Sequence, residues 1–74
     1  MSSETANETI RIQVNGETQA LSAPATVATL IAARGPRPPF AVEVNKQLVR
    51  RPGYDTTALN DGDVVEIVTL VGGG

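Results

Sequence analysis

The sequence predicts an α+β fold in which a mixed sheet of four to five strands packs on one helix. Three observations carry this. Apolar Ile10, Ile12 and Val14 alternate with polar Arg11 and Gln13 and run directly into Asn15-Gly16. Residues 24–35 then change to helical spacing, and residues 64–71 close the chain's apolar pattern as a nearly continuous β-branched run.

Taken in order, residues 1–7 (MSSETAN) are small, polar and aperiodic, a composition that does not repay the entropy of ordering, and are expected to form a disordered leader. A domain is expected over residues 8–71. Its first strand begins at Thr9, and Asn-Gly turns it back because both central positions of the tightest hairpin need positive φ. The returning strand covers residues 17–21. Val27, Leu30, Ile31 and Arg34 then share one side of a helix of two to three turns, with Thr26 placed to cap its free amides and Gly35 to end it. Pro36, Pro38 and Pro39 stop any continuation.

Phe40, Val42 and Val44 alternate with Ala41 and Glu43 as a third strand, and Asn45-Lys46-Gln47 is expected to turn into a short fourth strand over residues 48–50. Residues 51–59 read as irregular, with a Pro52-Gly53 turn and Leu59 plugging the core. After the turn cluster Asn60-Asp61-Gly62-Asp63, the last strand is expected to be central and covered for most of its length. If it lies beside the first strand, the order ββαββ closes as a β-grasp, ubiquitin-like sheet of spatial order 2-1-5-3-4. A ferredoxin-like fold would need a second helix, which the short, Pro/Gly-broken residues 51–59 do not offer.

Composition limits function. Seventy-four residues leave room for one domain, and a chain this short buries only roughly 60% of its extended surface. It has no Cys and no His, so disulfides, thiolate or imidazole metal sites and the usual catalytic dyads are missing, and it is expected not to be an enzyme. The net charge of -2 argues against a phosphate-tracking surface for nucleic acid. No apolar run spans a bilayer and no signal peptide precedes the domain, which points to a soluble, cytoplasmic protein without membrane or metal partners.

Chemistry concentrates at the C-terminus. In the last strand, Val65, Ile67 and Thr69 are expected to face the helix, leaving Val68 and Leu70 on the side of Glu66 as an exposed apolar pair, open for a partner or covered by a neighbouring loop. Gly72, Gly73 and Gly74 follow as a tail over residues 72–74. Without Cβ atoms such a segment can thread a narrow channel and present its carboxylate for reaction; the bland alternative is functionless coil. Arg50 and Arg51 read as a solvated basic turn or as a contact for an acidic groove. Asp61 and Asp63 read as turn residues rather than cation ligands, and Tyr54 and Phe40 as core closure.

The Asn-Gly hairpin, the Thr-Val opening of the helix, the run Ala41-Val42-Glu43-Val44-Asn45, the segment Leu59-Asn60-Asp61-Gly62-Asp63-Val64-Val65-Glu66-Ile67-Val68 and the Val71-Gly72-Gly73-Gly74 end together resemble the ThiS family of sulfur carriers of thiamine biosynthesis, over about residues 8–74. The resemblance implies that the Gly74 carboxylate is adenylated by a ThiF-like enzyme using ATP, and that this chain binds no cofactor itself. The adenylate is then converted to a thiocarboxylate with sulfur supplied indirectly by a cysteine desulfurase, and the sulfur passes to a ThiG-like thiazole synthase. Gly73 and Gly74 carry over directly, with Gly72 in the flexible arm. Two other readings stand beside it: a MoaD-like small subunit of molybdopterin synthase or carrier of another sulfur pathway, and a non-conjugating ubiquitin-like interaction module.

Overall fold

In the computed structural model, which describes residues 8–70, the first alternating segment forms strand β1 (Thr9–Val14), with Ile10, Ile12 and Val14 buried. Asn15 and Gly16 have φ of 52° and 84°, the positive values that a two-residue hairpin requires. Strand β2 (Glu17–Ser22) returns antiparallel, and the two-residue β3 (Ala25–Thr26) leads into helix α1 (Val27–Arg34). The Thr26 hydroxyl accepts a hydrogen bond from the Thr29 amide at 3.3 Å, while the Thr29 hydroxyl accepts one from the Thr26 amide at 3.1 Å, so the helix opens on a reciprocal cap with threonine at both ends. Gly35 closes it at φ 58°, donating its amide to the Ile31 carbonyl.

Strand β4 (Phe40–Val44) and strand β5 (Gln47–Val49) form the second hairpin. A 3₁₀ turn (Arg51–Gly53) and the two-residue β6 (Ala58–Leu59), which pairs with β3, lead to β7 (Val64–Thr69). The main sheet has the order β2-β1-β7-β4-β5, which counted over its five strands alone is 2-1-5-3-4. Strand β7 lies parallel to β1 and antiparallel to β4, bridging the two hairpins. This is the β-grasp expected from the sequence.

The core lies between one sheet face and α1. Ile12, Val14, Val42 and Val65 from the sheet meet Val27 and Leu30 from the helix, and Leu59 closes the side, buried as expected. Phe40 and Tyr54 pack at its edge with nearly parallel rings, their centroids 6.4 Å apart.

Three sequence expectations are corrected. The fourth strand begins one residue early and spans Gln47–Val49, because Asn45 and Lys46 both adopt positive φ (51° and 71°) and make a two-residue turn that pairs Gln47 with Val44. Residues 51–59 are not wholly irregular, since they hold the 3₁₀ turn and β6. Strand β7 is covered on one face only, with Val65 and Ile67 buried and Val64, Glu66 and Val68 exposed, and Thr69, on the face of Val65 and Ile67, is exposed as well. One eight-residue helix is about 12 Å long. A six-residue strand spans about 20 Å. The helix therefore leaves the far end of β7 uncovered and the opposite sheet face open. The expected leader over residues 1–7 and the tail over residues 72–74, with Val71, lie outside the described residues.

Candidate functional site

Strand β7 is held from both sides by asparagines at the first position of each hairpin turn. On the β1 side, the Asn15 carboxamide bonds Ile67, accepting from its amide at 2.8 Å and donating to its carbonyl at 3.1 Å. On the β4 side, the Asn45 side chain accepts from the Val64 amide at 2.9 Å and donates to Asp63 at 3.1 Å, while its own amide donates to the Val64 carbonyl at 2.7 Å. Sequence reasoning identified these turns but missed the clamps. The available signal was that each turn opens with Asn, a residue that tolerates left-handed backbone and carries both a donor and an acceptor.

Beyond Ile67 the strand stays paired with β4 alone. Phe40 pairs with Thr69, Ala41 with Val68, and the Leu70 amide donates to the Pro39 carbonyl at 2.8 Å, the last described tie before the glycines. Val68 and Leu70 are each 49% exposed, and Leu48 on β5, opposite Glu43 of β4, is 55% exposed. Pro38, Pro39, Phe40, Arg50, Arg51 and Tyr54 line a groove of about 270 Å³ beside this end of β7.

The structure therefore brings Val68 and Leu70 together at the end of the central strand, whereas Gly72, Gly73 and Gly74 fall outside the described residues. Asp63 serves the turn, one oxygen accepting from the Asn60 amide at 2.8 Å, whereas an Asp61 oxygen accepts from the Arg11 amide at 2.8 Å and ties the turn to β1. No cluster of three or more metal-ligating side chains occurs among the described residues. No described helix is long and apolar enough to cross a membrane.

Comparison with known proteins agrees with this geometry. The chain is 39% identical over 66 residues to a thiazole synthase of Paramagnetospirillum magneticum, a match covering 88% of this chain and 20% of that one, so it spans about a fifth of that longer relative. It is 38% identical over 71 residues to the uncharacterized protein ycf40 of Porphyra purpurea, covering 92% and 97% of the two chains. The crystal structure of the thiamine biosynthesis protein ThiS from Geobacter metallireducens superposes with a TM-score of 0.74 at 29% identity, over 88% of this chain and all of that one. The NMR solution structure of a thiamine biosynthesis protein from the same organism gives a TM-score of 0.73 at 29% identity, covering 88% of each chain. The sequence model of the ThiS family matches residues 6–74, nearly the whole length from before β1 through the terminal glycines, and the chain belongs to that family.

Proposed function

We propose that this protein is a sulfur carrier for thiamine thiazole formation, and that its reactive group is the Gly74 carboxylate. The ThiS family match running through the terminal glycines carries the reading. The identity to a segment of a thiazole synthase directs it toward thiazole rather than molybdopterin chemistry.

A carboxylate is a poor electrophile, and the proposed cycle first corrects that. A Gly74 oxygen attacks the α-phosphorus of ATP in a ThiF-like enzyme, pyrophosphate leaves, and the acyl adenylate exposes its carbonyl carbon to a persulfide derived from cysteine through a desulfurase. AMP departs as the outer sulfur of that persulfide bonds to the carbon, a thiol then takes the inner sulfur as a disulfide, and the thiocarboxylate left behind delivers sulfur to a ThiG-like synthase. This chain's own residues hold and present the terminus. Asn15 and Asn45 fix β7, the Leu70–Pro39 bond sets where the chain leaves the sheet, and Val68 and Leu70 offer apolar contact to the partners. Gly72 and Gly73 leave the segment without Cβ atoms, suited to a narrow channel. Lacking His and Cys, the chain serves as a protein cosubstrate and leaves catalysis to its partners. Dependence on ATP fits a cytoplasmic setting.

The test is intact mass spectrometry after incubation with ATP, the ThiF-like enzyme and a sulfur source. The expected change is replacement of one oxygen by sulfur, absent when Gly74 is deleted. An unchanged mass, with an enzyme shown to be active on its own carrier, overturns the proposal.

A further inference from the structure

We infer that the facing carboxylates Glu43 and Glu66, at the centre of the open sheet face, receive a basic side chain of the thiazole synthase when it docks there; this deepens, and rests on, the sulfur-carrier reading above. Val42, Val65 and Ile67 point into the core, so by strand alternation Glu43 and Glu66, directly opposite each other on β4 and β7, project from the other face. Their Cβ atoms stand about 5 Å apart, a like-charged pair that costs the free domain stability. Among the described residues the one ion pair is Arg34 with Glu17 at 3.6 Å, and no basic side chain there answers Glu43 or Glu66. Asp61 and Asp63, in contrast, are already engaged by backbone amides.

The surroundings set this pair apart from the other exposed charges of the chain. Val64 and Val68 lie two residues to either side of Glu66 on the same face of β7, Ala41 lies opposite Val68, and Leu48 lies opposite Glu43 on β5. Val64, Val68 and Leu48, with Leu70 just past the strand, are the large hydrophobic side chains exposed among the described residues, and all gather here. A contiguous exposed apolar surface marks an interaction site, and its acidic centre sets the chemistry of the partner. A wholly apolar or acidic surface closing over two carboxylates would strip their water and return nothing. A cation on an apolar stem fits both parts, and the fork of an arginine can bond both carboxylates at once. Such a cation also removes the repulsion that the free domain carries. The synthase is the assigned occupant because the thiazole synthase of Paramagnetospirillum magneticum holds within its own chain a segment 39% identical to this one over 66 residues. Joining in one chain raises the effective concentration of two units, which serves units that meet directly.

The experiment measures binding of the full chain to the ThiG-like synthase by calorimetry, with thermal unfolding of each variant alongside. E43Q/E66Q removes both charges and keeps side-chain size, and E8Q/D55N makes the same charge change outside the strands. E43Q/E66Q is expected to unfold at the same or a higher temperature yet bind about tenfold more weakly, while E8Q/D55N binds within about twofold of the wild type. A purely structural pair would move stability and binding together. Unchanged or tighter binding by E43Q/E66Q overturns the docking site, as does equal weakening in both variants or a wild type that the synthase does not bind. Should E43Q/E66Q unfold below the wild type, E66Q alone is read on the same scale. Adenylation is followed in parallel: a rate for E43Q/E66Q within about twofold of the wild type supports the synthase as occupant, and a loss as large as that in synthase binding overturns it. If a competent adenylating enzyme leaves the wild-type chain unmodified, the sulfur-carrier reading itself falls, and the docking assignment with it.

Discussion

The Asn15 side chain and the Ile67 backbone form a closed pair of hydrogen bonds, one in each direction, across 52 residues of sequence. Backbone pairing between β1 and β7 is short, with Gln13 opposite Val64 and Val14 opposite Val65, and β1 then turns away. The carboxamide takes the place of the next strand residue and extends the ladder toward the C-terminus. Asn15→Gly keeps the left-handed turn and removes both bonds, so we expect it to lower stability by about 1–2 kcal/mol. Urea denaturation measures the loss, and faster amide exchange at Ile67 than at Val65 locates it.

Gly16 and Gly53 should respond oppositely to alanine. Gly16 has φ 84° with no atom within 4 Å of the point where a Cβ would stand, so Gly16→Ala costs conformational strain alone, about 1 kcal/mol. At Gly53 an added Cβ would meet Thr57 Oγ1 at 3.6 Å and Val49 Cγ1 at 3.7 Å, ordinary contacts, and φ is not left-handed. Gly53→Ala is expected to be neutral or to stabilise by up to about 1 kcal/mol. Thermal unfolding of the two variants side by side decides this; equal losses would contradict it.

How much of this was legible in the sequence depends on how far each determinant reaches. The Asn15-Gly16 hairpin, the Thr26 cap and the Gly35 stop are local chemistry and stand in the letters. The strand order followed from one long-range fact, an apolar strand at the end of the domain. The Asn45-Lys46 turn was displaced by a residue because lysine at positive φ leaves no local signal. Strands β3 and β6 are two residues each, too short for any period. The two asparagine clamps act across 52 and 19 residues, and only the folded sheet shows which backbone groups they meet. The polarity of Glu66 pointed correctly to the open face of β7, whereas the exposure of Thr69 was missed because the length of the helix against the strand does not appear in an alternation pattern.

Glu43 and Glu66 lie directly opposite each other on β4 and β7, a like-charged cross-strand pair on the open sheet face. Glu66→Lys replaces repulsion with attraction and is expected to stabilise the domain by up to about 1 kcal/mol. The gain should shrink between low and high salt, since an exposed pair is screened. Denaturation midpoints at two ionic strengths provide the check.

Leu30 is fully buried where the helix meets the sheet. Leu30→Ala is expected to cost about 2–5 kcal/mol through lost burial and the cavity left behind. Domains hold only about 5–15 kcal/mol in total, so the variant should unfold at a much lower denaturant concentration. A loss below about 1 kcal/mol would show that the helix is not seated as described.

Strand β7 is at once the central strand of the sheet and the last element before the C-terminal glycines. During synthesis the hairpins β1–β2 and β4–β5 emerge first, and neither has the other as a neighbour until β7 joins them. A chain interrupted before Val64 is left as two unbridged hairpins, each marginal in water, and is exposed to proteolysis. The domain's completion thus waits on the segment that leads into its proposed reactive end.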